Sequence, residues 1–437
     1  MLKAIKRLLE KTNNISRSSY IWNAAQAMIL ALQSPVVMAV ATRTNGEAAA
    51  GIFSIALAEA NLMYYLGQYG LRRYQSSDIN QDFKFCEYHA MRIMSCTVML
   101  AGCIGYGIYG LTQLGYSMNK FMIVIIICLI KVLQAYTDVM HGHLQQRGRL
   151  DVAGKCASTR YTIELLVYVI VLIVAHDLLL AVAICLFVSF IVFLLTSANV
   201  TRYYTDTMRP SISSEKLKLL LIEGFPLFMS LFLNMYISNA PKYAIDAFLN
   251  DEIQSIYNKI YMPTYVVQMA TQFIFNPVLV VYAELWQSHT LDKFRRLVRM
   301  IRKMCLLVLG LAVLAVVLAA TIAIPILSVI FGTDLSDYRL ELVVIMLSGG
   351  MLAYSIYFST LLAVIRTQRP LIYVYGFAAI AAKLICGVLV RNYSIMGAAI
   401  ANFALMTFLA VSLCLVAVMA LRRERSSLLE EKAGEGA

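Results

Sequence analysis

Four side chains able to hold a proton, an ion or an anionic group share one edge of an otherwise apolar segment: Lys131, Gln134, Asp138 and His141. Their spacing of i, i+3, i+7 and i+10 is a single stripe on an α-helix whose other faces carry Ile, Leu and Val. A second stripe, Asn239, Lys242 and Asp246, lies further along, with Pro241 inside it. Proline removes one helical hydrogen bond there and frees a carbonyl for a ligand or water. Lys259 follows, then the polar run Tyr261, Thr264, Tyr265, Gln268 and Gln272. Glu59, Lys383, and Glu164 one turn from Arg160 are further ionisable groups inside apolar runs. Ammonium groups suit anion binding, and carboxylates suit H⁺ or Na⁺ binding. A central charge in lipid costs roughly 2.5 to 3.5 kcal/mol, so such residues are expected to face a hydrated interior.

Other chemistries are disfavoured by spacing. His141 and His143 stand at i, i+2 and do not share a helix face, so no metal site is expected. Nine cysteines are scattered through apolar runs without a CxxC pair, which reads as buried thiols rather than zinc or disulfides. No cofactor is expected.

The elements that must position these groups follow from composition. The chain has 437 residues, 60% hydrophobic and only 14% charged, with a mean hydropathy of +0.72. A soluble fold could not bury that much apolar surface. Windows of about 19 residues give an all-α polytopic membrane protein with spans near 20–42, 48–71, 90–110, 120–141, 160–176, 179–200, 218–248, 253–283, 304–330, 340–365, 371–389 and 395–421. The formal charge of +12 is spread among short connections, which argues against a nucleic-acid partner.

Those connections alternate. Basic ones carry Arg72, Arg73 and Lys84; Arg147, Arg149 and Lys155; Arg202, Arg209 and Lys216; Lys293 through Lys303; and Arg366 and Arg369. The others, such as Thr44 to Glu47, His176-Asp177 and Asn250 to Glu252, hold almost no Lys or Arg. The positive-inside rule then sets an even number of spans in the cytoplasmic membrane, with both termini cytoplasmic. Lys3, Lys6, Arg7 and Lys11 alternate with Leu2, Ile5, Leu8 and Leu9, which predicts a short amphipathic helix on the inner leaflet. The stretch after it is too long for a signal-peptide core, so no cleavage is expected.

An offset of roughly 205 residues places Gln33-Ser34-Pro35 on Asn239-Ala240-Pro241 and Asn45-Gly46 on Asn250-Asp251. Six spans separate the copies, as in a parallel repeat about the membrane normal. The expected organisation is an amphipathic segment 1–17, an N-lobe 18–204, a C-lobe 205–425 and a tail 426–437, with two six-helix lobes flanking a cleft. Each charge also has a plain structural reading. Lys242 and Asp246 can neutralise one another, Lys259 and Lys383 are within snorkelling reach of the outer interface, and Glu164 pairs with Arg160. Lys131 lies about 15 Å from the cytoplasmic end, too deep to snorkel easily.

Glu223-Gly-Phe-Pro-Leu-Phe228, Asn239-Ala-Pro-Lys-Tyr-Ala-Ile-Asp246, and Ile256-Tyr-Asn-Lys-Ile-Tyr-Met-Pro263 running to Phe275-Asn-Pro277 resemble polysaccharide-biosynthesis flippases of the Wzx type. These belong to the MOP superfamily, with the MATE exporters and the lipid II flippase. The resemblance implies a V-shaped pair of six-helix lobes, MATE/MOP-like, moving undecaprenyl-pyrophosphate-linked oligosaccharide to the outer leaflet. On that reading Lys131, Lys242, Lys259, Lys383 and Gln268 meet the substrate, while Glu59, Asp138 and Asp246 couple an ion. The implied partners are the lipid-linked oligosaccharide, the bilayer, and glycan polymerase or export proteins. The first span departs from many MATE drug exporters: its polar stripe is Asn23, Gln26 and Gln33, with no aspartate. Nor does it carry arginines like the lipid II flippase, since Arg72 and Arg73 lie only at the end of the second span. Drug export remains the alternative function. A glycan-modifying membrane enzyme would need larger outer loops than the short ones here.

Overall fold

The computed structural model describes residues 2–78, 82–288, 290–365, 367 and 369–434. Among them every regular element is helical. In chain order the helices are α1 (Leu2–Glu10), α2 (Ile15–Asn45), α3 (Glu47–Gln68), α4 (Leu71–Ser77), α5 (Phe85–Gln113), α6 (Met118–Gln146), α7 (Leu150–Ala175), α8 (Leu178–Phe193), α9 (Asn199–Thr201), α10 (Ser214–Phe248), α11 (Asp251–Tyr261), α12 (Pro263–Gln287), α13 (Leu291–Leu318), α14 (Ile324–Phe331), α15 (Arg339–Val364) and α16 (Arg369–Gly434). Single π-turns, Leu194–Ala198 and Ala319–Ala323, join α8 to α9 and α13 to α14.

Polar residues at the short connections start the helices. The side chains of Asn14, Ser117 and Asp177 accept from the amides of Arg17, Lys120 and Leu180, satisfying donors that the first turn leaves open. Gly46 separates α2 from α3 at φ 86°, a conformation that favours glycine.

Ten described helices are long and apolar enough to cross a membrane, against the twelve spans expected. One stretch accounts for part of the difference. The stretch Pro370–Glu430 is counted once although Ser394, at φ 52° and ψ −130°, breaks it into two legs. Gly397 lets that break stay close, because any side chain there would run into the Leu389 carbonyl. The expected 253–283 span is present as α11 and α12, broken at Pro263. One boundary also moves. Lys293 to Lys303 stand on the first turns of α13, not in a connection, and the helical stretch Leu291–Phe331 is 41 residues long. Arg366 lies outside the described residues.

The chain packs as two units, residues 1–235 with 250–255 and residues 236–249 with 256–437. In the first, α2 lies along α7, and α3 packs on α5 and α6. In the second, α15 packs on α12, α13 and α16.

Within the first unit α1 is bolted to the protein as well as amphipathic. Lys155 Nζ donates to the Leu9 and Lys11 carbonyls at 2.9 Å each, where the end of α1 leaves acceptors open. Arg149 donates to the Glu10 carbonyl at 3.1 Å and to Tyr204 Oη at 3.0 Å, and Tyr204 Oη donates to Glu10 Oε1 at 2.7 Å. Burial, and then the bond to Glu10, push the Tyr204 hydroxyl up to about 12. The raised value means the bond is fully held below the ordinary tyrosine range and is lost as pH climbs through about 12. Leu8 stays 76% exposed, free to enter the interface. Lys155→Met should remove charge-assisted bonds worth about 1.5 to 3 kcal/mol. Hydrogen exchange by mass spectrometry would then rise about tenfold or more over residues 2–11 alone.

The connection after α9 is tied down in the same unit. His89 Nδ1 donates to the Met208 carbonyl at 2.9 Å, His143 Nε2 to the Tyr204 carbonyl at 2.8 Å, and Ser211 N to the Cys86 carbonyl at 3.2 Å.

Candidate functional site

The first unit encloses a cavity of about 520 Å³ whose lining is unusually polar for a membrane interior. One wall is α6, which presents Gln134, Asp138, His141 and Gln145 at i, i+4, i+7 and i+11, one helical face. Tyr64, Tyr65 and Gln68 come from α3, Gln26 from α2, and Arg160 and Tyr161 from α7. Short α4 supplies Arg72 and Ser76. It lies against α6 at Gly142, whose missing side chain leaves room for the buried amide of Gln75. That seating directs Arg72 at Asp138.

Asp138 is the hub. Its Oδ1 accepts from Arg72 Nη1 at 2.9 Å and its Oδ2 from Arg92 Nη2 at 3.1 Å. The two arginines differ in environment: the Arg92 side chain is 0% exposed and that of Arg72 is 29% exposed. Arg92 also donates to the Gly67 carbonyl, which Ser95 Oγ reaches at 2.7 Å. On the α7 side, Arg160 Nη1 donates to Thr137 Oγ1 at 2.9 Å and Arg160 Nε lies 3.3 Å from Glu164 Oε1. Glu164 in turn accepts from Ser189 Oγ at 2.8 Å and from Gln33 Nε2 at 3.5 Å. Glu164 is thus a structural partner of Arg160, and Arg160 still reaches the cavity. His141 Nε2 meets Ser197 Oγ at 3.0 Å.

Lys131 is buried and donates to Gln134 Oε1 at 3.1 Å, with the Tyr64 ring 5.9 Å from its ammonium. It therefore stands behind a residue that lines the cavity. Among the described residues here, Arg72, Arg92, Arg160 and Lys131 are set against the carboxylates of Asp138 and Glu164, which leaves two excess positive charges. In a low-dielectric interior such an excess favours an anionic guest.

Glu59, also in the first unit, is elsewhere: it accepts from Tyr116 Oη at 2.9 Å. The Tyr116 ring lies 4.2 Å from the ammonium of Lys120, which pairs with Asp251 at 2.6 Å.

The second unit holds the remaining candidates. Lys242 is buried, donates to Tyr265 Oη at 3.5 Å, and lies 5.3 Å from the centre of the Tyr261 ring. Tyr257, Tyr261 and Tyr265 form a continuous aromatic ladder beside it, with successive ring centres 5.9 and 5.6 Å apart. Lys259 is 0% exposed and donates to Thr333 Oγ1 at 3.1 Å, so it does not snorkel. Asn239 and Asp246 are buried, and Gln268 is half-buried on α12. Lys383 stands apart on an exposed face with Ile380, Leu384 and Val388.

Two arginines escape sequence reasoning. Arg92 sits just inside the third expected span, where an ionisable residue is itself a signal. Arg72 reads as an ordinary cytoplasmic flank because nothing in its neighbours foretells that α4 folds back on α6.

The fold is similar to that of solved membrane transporters. The inward-facing multidrug resistance MATE family transporter of the MOP superfamily aligns at TM-score 0.70 and 13% identity, over 93% of this chain and 99% of that one. The Vibrio cholerae MATE transporter VcmN in its bent form gives 0.58 and 15%, over 96% and 99%. A MOP superfamily transporter from Pyrococcus furiosus, described as having a binding pocket of reverse polarity, gives 0.54 and 13%, over 96% and 98%. At such identities the likeness establishes the fold alone. No curated protein matches the chain. The polysaccharide biosynthesis protein model matches residues 16–282, a segment that holds Arg72, Arg92, Asp138, Arg160 and Lys242. With more than half its length matched by that model and its helices arranged as in the MOP transporters, the chain belongs to the polysaccharide biosynthesis protein family.

Proposed function

We propose that the protein is a flippase that carries undecaprenyl-pyrophosphate-linked oligosaccharide across the cytoplasmic membrane by alternating access, with both termini cytoplasmic. The observation that carries this reading is the cation-rich, tyrosine- and glutamine-lined cavity inside a chain of this family. A pyrophosphate and its sugars cannot enter hydrocarbon unaided, whereas a polyprenyl tail can stay in it. Guanidinium groups match phosphate oxygens bidentately, and amides and tyrosines suit sugar hydroxyls and ring faces. Arg72 and Arg160 would hold the phosphates, with Lys131 adding field through Gln134. Within the second unit, Lys242 beside its tyrosines and Gln268 are the proposed substrate groups, while Lys259, held by Thr333, and Lys383, on an outward face, would play no part. Asp138, which holds Arg72 at the cavity wall, is the proposed coupling carboxylate, and Glu59 and Asp246 would serve as further ion sites.

The test is a leaflet assay. Purified protein in vesicles containing a polyprenyl-pyrophosphate-linked glycan should expose that glycan to an added, impermeant sugar-modifying enzyme within minutes, while empty vesicles protect half of it. Equal protection in both vesicle types would remove this function. Ethidium uptake run in parallel decides the drug-export alternative, which the excess positive charge around the cavity opposes.

A further inference from the structure

We propose that the first turns of α13 form a docking strip for acidic phospholipid headgroups. Lys293, Arg295, Arg296, Arg299, Arg302 and Lys303 are all exposed there, while Phe294, Leu297 and Ile301 are buried. At 3.6 residues per turn the last five cations fall within an arc of about 120° and rise about 12 Å along the axis. Asp292, paired loosely with Arg295 at 3.6 Å, is the acidic residue on these turns.

What the strip meets is set by the rest of the helix. Leu306, Val313, Leu314 and Val317, 69, 56, 54 and 52% exposed, lie on the same arc immediately beyond Lys303. Those side chains are the lipid-facing surface of a helix that crosses the bilayer. One face therefore runs without interruption from acyl-chain contact to five cations. A lipid whose tails lie against Leu306 and Val313 has its phosphate level with Arg302 and Arg299. The 28 residues from Met304 to Phe331 span about 42 Å, longer than the ~30 Å hydrocarbon layer, so the helix must tilt or project. Either way the cations are held at the headgroup layer or just outside it. Each cation near an acidic surface contributes about 1 kcal/mol, roughly a fivefold preference.

The experiment places purified protein in nanodiscs of mixed phosphatidylglycerol and phosphatidylcholine and counts retained lipids by native mass spectrometry. The variant Arg295→Gln/Arg296→Gln/Arg299→Gln keeps Arg302 and Lys303 for topology and changes only exposed side chains. It should lose phosphatidylglycerol preference at least tenfold. The variant Arg295→Lys/Arg296→Lys/Arg299→Lys should keep most of it, and raising salt to 0.5 M should weaken it in the wild type. Unchanged preference in the Gln variant would overturn the proposal. So would displacement of phosphatidylglycerol by equimolar polyprenyl diphosphate, which would make the strip a substrate site. Tight binding of polyglutamate in phosphatidylcholine discs, with lipid preference indifferent to the Gln variant, would assign the strip to an acidic protein instead.

Discussion

Asp138→Leu is expected to lower the unfolding free energy by about 3 to 5 kcal/mol, and adding Arg92→Met to it is expected to restore most of that loss. The first variant leaves Arg92, wholly buried, without its carboxylate and beside a second guanidinium. An uncompensated charge in that position costs far more than a lost hydrogen bond. The double variant removes the stranded cation and fills the site with apolar volume, a replacement that is often neutral or stabilising. Arg92→Met alone should cost less than Asp138→Leu, because Asp138 keeps Arg72 and the Gly67 carbonyl keeps Ser95. Unfolding of the purified protein in mixed micelles, run as a double-mutant cycle, reads all three values. If the double variant is no more stable than Asp138→Leu, the three groups are not coupled as their geometry requires.

Much of this architecture is legible in the amino-acid sequence because the bilayer reduces the problem to length, hydropathy and the sidedness of Lys and Arg. The turn at Asn45-Gly46 is likewise legible, and it is the break between α2 and α3. The charged stripe of α6 is evident from its spacing, and Asp138 does line the cavity. What spacing does not supply is partnership. Lys131 and Asp138 share a helix face, yet Asp138 is tied to arginines from α4 and α5, while Lys131 is turned to Gln134. Lys259 and Lys383 look alike in sequence, each a single cation in an apolar span. Packing separates them, burying Lys259 against Thr333 and leaving Lys383 on an outward face. Arg72 is hidden for another reason: hydropathy places a residue in depth but says nothing about whether a short helix after it turns back inward. The basic run 293–303 resembles a connection because its charge masks the buried stripe Phe294, Leu297 and Ile301.

Arg72→Gln is expected to slow glycan translocation between about tenfold and a hundredfold while leaving the protein folded. A hydrogen bond to a charged group is worth about 1.5 to 3 kcal/mol, and 1.36 kcal/mol is a factor of ten. Arg72 lines the cavity and its side chain is 29% exposed, so it is the guanidinium best placed to exchange Asp138 for a phosphate oxygen. Arg92 has no such freedom: it is sealed behind Asp138 and acts by keeping the carboxylate in place. The two arginines on one carboxylate should therefore separate in assay, Arg72→Gln affecting transport with little change in unfolding, and Arg92→Met affecting both. Arg72→Lys sharpens the distinction, since an ammonium keeps the charge and loses the planar fork. If charge alone guides the substrate, Lys at this position restores translocation; if bidentate recognition does, translocation stays as slow as in Arg72→Gln. Wild-type translocation by Arg72→Gln would mean that the phosphates never meet this cavity, whatever carries them across.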